Sequence, residues 1–323
     1  MDKVLVTVNM LTYNHRKFIV RALDSILSQR VNFRFEIVIG DDASTDGTQE
    51  IIRKYAKKYP DIIHAVLHTE NVGISKNVES IRPFYHGKYI APMEGDDYWI
   101  DLLKLQRQAD FLESHPEYSA IAAKVILIDE NGNKLDKAVD SRLYFTGKEY
   151  TIKEFDEYKM AGQINTMLYR SFLDDMSPQV RKAYDKCKAM GDRRVNLMLL
   201  QKGNIYCENV VTTAYRYHGN SWTNAEREYC MNFYLYHEML ALSEFAEKYL
   251  DKRPNFSKSY LRAWYGTVEY WVRHPSRRNF FAVKNIFNTG FRLRKLWFLI
   301  THTLSFPVRK IKRRFINENP SHS

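Results

Sequence analysis

Two acidic clusters have residue types and positions that could hold a ligand. Asp41-Asp42 follows the apolar run at 35–40, and Glu94-Gly95-Asp96-Asp97 follows the run at 88–93. In an open parallel sheet, ligands bind beyond the carboxyl ends of the strands, where the strand order reverses. Two neighbouring strands ending in carboxylates would place several hard oxygen donors around one crevice. Such donors suit magnesium or manganese, and those cations bind phosphate-bearing substrates. An Asp after a strand also serves as a turn former or helix cap, and a single Asp-Asp pair needs no other explanation. A second pair led by Glu94 tilts the reading toward a site. No Gly-x-Gly-x-x-Gly follows the first apolar run and no Gly-Lys-Ser/Thr loop occurs, so no glycine-rich loop lays phosphate on a helix N-terminus. A cation held on carboxylates would have to neutralise it instead.

The elements that must position these residues alternate along the first half of the chain. Residues 4–10, 35–40, 63–68, 88–93 and 119–128 read as strands. Between them, Asn14 is placed to cap a helix carrying Phe18, Ile19, Ala22, Leu23, Ile26 and Leu27. Ser44 is expected to start a helix with Ile51, Ile52 and Tyr55, and further helices are expected at 75–84 and 101–114. This alternation predicts an α/β fold with a mostly parallel sheet covered by helices. Glu130-Asn131-Gly132-Asn133 reads as a hairpin turn, hence an antiparallel edge. A helix over 192–201 ends at Gly203, and a strand-like run covers 204–217. From residue 225 onward the periodicity is helical, with breaks near Pro254, Pro275 and Gly290. The expected division is 1–222 and 223–323.

The 323 residues are 45% hydrophobic and 27% charged, enough for a packed core and outside the disordered range. Three scattered cysteines exclude a disulfide framework or a thiolate metal site and suit a reducing compartment. The net charge is +11, yet eight Lys or Arg and no acid lie between Arg292 and Arg314. Removing that +8 from +11 leaves +3 elsewhere, so the basicity belongs to the tail. With no recognised nucleic-acid module, no nucleic-acid partner is expected. Leu293, Leu296, Trp297, Ile300 and Leu304 share one helical face flanked by bases. That pattern fits a helix lying on an anionic membrane surface over 292–314, or one packing back on the protein. The start lacks the apolar length of a signal peptide and no stretch is long enough to span a bilayer. The expected location is cytoplasmic and peripheral on the inner membrane face. His237-Glu238 lacks the second His of a zinc-protease motif and is expected on a helix surface.

Leu11-Thr12-Tyr13-Asn14, the run Asp41 to Thr48, Asn71-Val72-Gly73 with Asn77, and Glu94 to Trp99 together resemble glycosyltransferase family 2. The resemblance extends from about residue 3 to residue 222 and implies an inverting enzyme with the GT-A fold and a helical C-terminal appendage. It implies that Thr12 and Tyr13 line the nucleotide-base pocket and that Asp42 hydrogen-bonds the base. Asp96 matches the metal-binding position, implying Mn2+ or Mg2+. Asp97 would assist at the ribose or sugar. Glu94 stands where the family often has Asp, and its longer arm leaves ribose and metal both open. Asp192, after Gly191, falls where the family places its catalytic base; the alternative is a cap on the following helix. In Tyr215-Arg216-Tyr217-His218, His218 would reach the metal or diphosphate, or serve only in packing. Gly162 to Thr166 would face the acceptor. The implied partners are a nucleotide-sugar donor, with UDP favoured, and a glycan or lipid-linked acceptor.

Overall fold

The computed structural model describes residues 3–136, 144–172, 175–217 and 231–290. His218, the expected boundary near residue 222 and the basic tail at 292–314 lie outside the described residues.

The order of elements is β1 (Val6–Thr12), α1 (Ile19–Leu27), β2 (Phe35–Asp41), α2 (Thr48–Lys58), β3 (Ile63–Leu67), α3 (Ile74–Ile81) and β4 (Tyr89–Glu94). A two-residue strand β5 (Tyr98–Trp99) is followed by α4 (Lys104–Ser114) and the long β6 (Tyr118–Ile128). Then come β7 (Glu149–Tyr150), α5 (Ile152–Asp156), β8 (Leu168–Arg170), α6 (Pro178–Lys186), α7 (Gly191–Lys202) and β9 (Asn204–Arg216). Three helices follow: α8 (Met231–Tyr249), α9 (Ser257–Arg273) and α10 (Arg277–Gly290).

The strands form one mixed sheet in the order β3-β2-β1-β4-β8-β6-β9-β5, with β7 also pairing β9. The first four run parallel. The short β8 is antiparallel to both β4 and β6, so it reverses the sheet at its centre. β6 and β9 then run parallel through several register shifts. From β1 the chain steps outward through β2 to β3 and then returns past β2 to place β4 on the other side of β1, so the carboxyl ends of β1, β2 and β4 open into a common crevice. Burial explains the pairing: Val6, Val8 and Met10 of β1 and Ile37 and Ile39 of β2 are fully buried. They join a core with Ala22, Leu23 and Ile26 of α1 and Leu105, Ala109 and Leu112 of α4. Each of the Val, Leu, Ile and Met side chains contributes about 1.5–3 kcal/mol by leaving water.

Two helix starts differ from the sequence expectation. Phe18, not Asn14, precedes α1, and no side chain caps it. Asn14 turns left-handed (φ 56°) and its Oδ1 accepts the Thr45 N–H at 2.9 Å. α2 starts at Thr48 rather than Ser44, because Ser44 is drawn back to Asp41 through its N–H (2.9 Å) and Oγ (2.5 Å). A local bond to Asp41 takes Ser44 from helix capping, and a bond across to the loop after β2 takes Asn14. The turn at 129–133 forms as expected, with Gly132 N–H on Asp129 O at 3.1 Å and an antiparallel bridge between Ile128 and Lys134.

The described chain divides into two compact units. One contains the residues up to 217 together with 237–260, and the other contains 231–236 and 261–290. In the second, Tyr236 donates to Ile286 O at 3.5 Å and the Trp271 and Phe280 rings lie 5.5 Å apart. Among the described residues no helix is long and apolar enough to cross a membrane.

Candidate active site

The loops after β1 and β2 are laced together by the side chains of the Asp-Asp-Ala-Ser-Thr-Asp-Gly-Thr run. Asp46 Oδ2 accepts the Arg16 N–H at 2.9 Å, while its Oδ1 takes the Thr48 N–H (3.0 Å) and hydroxyl (2.6 Å). Asn14 N–H donates to Ser44 Oγ at 2.8 Å. Gly47 adopts φ 99°, and a Cβ there would lie 2.9 Å from the Arg16 guanidinium. The run is therefore the framework that shapes one wall of the crevice.

Asp41 and Asp42 have different duties. Asp41 is fully buried and holds Ser44 and the Gln49 side-chain amide (2.7 Å). Asp42 sits at the crevice, 6% exposed, with its N–H on Thr12 O at 3.0 Å. Its two oxygens accept the N–H groups of Val72 (2.7 Å) and Gly73 (3.0 Å). The Asn71-Val72-Gly73 loop thus hangs on Asp42. Tyr13 is 48% exposed, whereas Thr12 is buried beneath Gly95, where a Cβ would come within 2.9 Å of the Thr12 side chain.

The second acidic cluster is a turn leaving β4. Glu94, Asp96 and Asp97 each offer an oxygen, all within 4.8 Å of one another. Asp97 is buried, and both of its oxygens are engaged: Oδ1 accepts the Arg216 N–H at 2.7 Å and Oδ2 accepts the Asn165 side-chain amide. Burial, and then the charges of Asp96 and Glu94, hold its carboxyl well above the usual carboxylate range. Arg216 braces the same turn, giving Nε to Asp96 O at 2.8 Å and its guanidinium to Asp129 O and Glu130 O. Asp96 is half-buried, with Oδ2 3.9 Å from His15 Nε2. Glu94 reaches water, but the protein walls of the crevice and the charges of Asp96 and Asp192 push its carboxyl upward. Packing like charges this closely is unfavourable without a cation, and carboxylate oxygens are the donors magnesium and manganese prefer. With Asp97 committed to protein donors, Glu94 and Asp96 are the members best placed to hold one.

Asp192 lies in the first turn of α7, and the cap position belongs to Met190, so Asp192 is not a helix cap. Burial pushes its carboxyl up to about 6, Arg193 opposes this, and the charge of Glu238 adds to the rise. Tyr144 stands close enough to both Asp192 and Glu94 for their charges to raise its hydroxyl. The structure therefore gathers Asp192 with the β4 acids, although 97 positions separate Asp192 from Gly95 in the sequence. Two site contributors escaped the sequence reading. Arg216 was passed over in favour of His218, and nothing in a lone Arg marks it as a brace. Glu238, expected on a helix surface, is 2% exposed and bonded to Tyr158 and Met190. Its helix is apolar on most sides, so its spacing does not show which face is buried.

A family model described as glycosyl transferase family 2 matches residues 7–177, more than half of the chain. The chain belongs to glycosyltransferase family 2. An uncharacterized protein of Mycobacterium tuberculosis is 41% identical over 124 residues, 38% of this family 2 chain and 36% of the relative. EpsE of Bacillus subtilis, named as a glycosyltransferase, is 34% identical over 127 residues, 39% of this chain and 45% of EpsE. The chain thus spans between a third and a half of the length of these curated relatives. S. aureus TarS 1-349, solved in complex with UDP-GlcNAc, superposes with a TM-score of 0.63 at 18% identity, covering 88% of this chain and 79% of TarS. That likeness establishes the GT-A fold for this family 2 member.

Within that fold Asp42 has a testable consequence. Asp42→Ala would strand the N–H groups of Val72 and Gly73 and release their loop from the crevice wall. Each lost hydrogen bond to a charged acceptor is worth about 1.5–3 kcal/mol, so Tm should fall and amide exchange at Val72 and Gly73 should accelerate, as measured by thermal melts and NMR.

Proposed function

We propose that the chain is a metal-dependent, inverting glycosyltransferase that moves a sugar from a nucleotide diphosphate donor, a UDP-sugar, to a hydroxyl of a glycan or lipid-linked acceptor. The observation that carries this reading is the convergence of Asp42, the Glu94–Asp97 turn and Asp192 on one end of one sheet. β1 separates β2 from β4, so the strand ends that lead into Asp42 and Asp96 lie about two strand spacings, roughly 10 Å, apart. That is the scale of a nucleoside diphosphate. Family membership and the UDP-GlcNAc bound by TarS support the donor class.

In this mechanism the loops carrying Tyr13, Thr12 and Asp42 hold the nucleotide. Glu94 and Asp96 would hold a divalent cation, with His218 as a further candidate ligand, and the cation would offset charge on the departing diphosphate. Asp97 and Arg216 keep the turn in place. Asp192 accepts the proton of the acceptor hydroxyl as its oxygen bonds to the anomeric carbon. The bond from that carbon to the diphosphate oxygen breaks in the same displacement, so the configuration inverts. In this reading residues 1–222 carry donor binding and transfer. Residues 223–323 supply helices and a basic tail that brings the enzyme to an anionic membrane for surface polysaccharide synthesis.

A thermal-shift panel tests the donor. UDP-GlcNAc, UDP-glucose and GDP-mannose would each be added with Mn2+ and with a chelator. A donor at a hundredfold excess over its Kd adds about 2.7 kcal/mol of stability. We expect a UDP-sugar to raise Tm only when Mn2+ is present. A panel in which no nucleotide sugar moves Tm would overturn the reading.

A further inference from the structure

The first turn of α7 has an unusual cap. Met190 stands at the cap position and supplies no side-chain acceptor, although helix N-termini ordinarily recruit Ser, Thr, Asp or Asn there. A carboxylate from another helix instead takes the N–H of the cap residue itself, the part that an N3 Glu plays in a capping box. Glu238 of α8 accepts the Met190 N–H through Oε1 at 2.7 Å. Its Oε2 accepts the Tyr158 hydroxyl at 2.6 Å and lies 3.9 Å from Arg193 Nε. Arg193 itself lies flat on Tyr158, 3.5 Å from the ring centroid, and donates to Tyr158 O at 3.1 Å. Glu238 and Arg193 are 2% and 3% exposed.

This network surrounds one residue of the crevice. Asp192 is two positions after Met190 and one before Arg193, so Glu238 holds a residue on each side of it. We propose that Glu238 is a positioning residue for Asp192, acting as the cap of α7 from a distant helix and locking the turn that presents the Asp192 carboxylate to the acceptor. The proposal rests on the reading of Asp192 as the base. A buried ion pair is a poor route to stability by itself, because desolvating both charges offsets most of their attraction. Its value here is directional: a carboxylate at a helix N-terminus meets the positive end of the macrodipole and ties α7, α8 and the Tyr158 turn at one point. The arrangement also accounts for Arg193-Arg194 directly behind the acid. Arg193 serves Glu238, and Arg194 turns away to donate to Tyr184 O at 2.8 Å.

The test compares full-length wild type with Glu238→Ala and Glu238→Gln. The amide oxygen of Gln still accepts from Met190 N–H, and Ala cannot. Turnover is read as UDP released from UDP-GlcNAc with Mn2+, per mole of folded protein. Glu238→Ala should lower kcat about 10- to 100-fold, the scale of a misplaced catalytic group, with the KM for UDP-GlcNAc unchanged. Glu238→Gln should restore kcat to within about threefold of wild type, since one neutral hydrogen bond is worth about 1 kcal/mol. Independently of turnover, amide exchange over residues 188–193 should accelerate in Glu238→Ala and return toward wild type in Glu238→Gln. Should Glu238→Ala not fold, Glu238→Asp, shorter by one methylene, should show the same kcat loss at constant KM. An unchanged kcat in folded Glu238→Ala or Glu238→Asp, a loss shared equally by KM, or no rescue by Gln would overturn the proposal. Failure of the underlying reading looks different. If Asp192→Asn releases UDP as fast as wild type, the base assignment falls, while exchange at 188–193 still reports on the cap.

Discussion

Asp192→Asn should slow sugar transfer about 10³-fold, within the range set by loss of a general base, and leave UDP binding unchanged. The substitution keeps the size and hydrogen-bonding outline of the side chain but removes its ability to take a proton. The first turn of α7 should survive, because Glu238 still holds the Met190 N–H and the Asn side chain keeps an oxygen acceptor. The pH profile supplies the second half of the test. Burial pushes the Asp192 carboxyl up to about 6, and only the deprotonated form works as a base. Activity should therefore rise with pH through about 6 and level off above it. A carboxylate at its ordinary value would already be ionised there, so a limb near 4 would contradict the burial seen here. Steady-state rates from pH 4.5 to 8 measure the limb. Calorimetry with UDP measures binding, and unimpaired transfer by Asp192→Asn would remove the proposed mechanism.

Asp96→Ala should abolish metal-stimulated turnover, a loss of about 10³-fold if the cation supplies several kcal/mol to the departing charge. It should also weaken Mn2+ binding, which the free-ion paramagnetic resonance signal reports without any turnover. Asp97→Ala is the informative contrast. Its carboxylate is occupied by the Arg216 N–H and the Asn165 amide. Removing it should lower Tm first, and activity only as the turn loosens. If Asp96→Ala bound Mn2+ like wild type while Asp97→Ala did not, the division of labour within this turn would be reversed.

These expectations follow from how the crevice is built. Its walls are loops held by their own side chains: Asp46 to Arg16 and Thr48, Asp42 to Val72 and Gly73, Arg216 to the β4 turn. Most acids of the two clusters are spent on protein donors, which leaves Glu94 and Asp96, joined by Asp192 from α7, for the proposed ligand chemistry. An acidic motif of this kind is mainly a frame, with a few members turned inward.

The pattern of residues by itself established the alternating strands and helices from residue 4 to 128, because strands buried on both faces and helices buried on one leave periods of their own in the chain. It also placed the Asp42 and Glu94 clusters at strand ends and showed that the charge is concentrated in the tail. Tertiary structure alone decided the rest. β8 is three residues long, too short to have a period, yet it reverses the sheet between β4 and β6. Asn14 carries good cap chemistry but finds its partner in Thr45, 31 positions away. Glu238 and Asp97 are ordinary surface-type residues whose partners lie 48 to 119 positions away. Periodicity records that a face is buried but not what lies against it. The identity of the group a carboxylate meets is a long-range fact, settled only when the sheet closes and distant helices pack onto it.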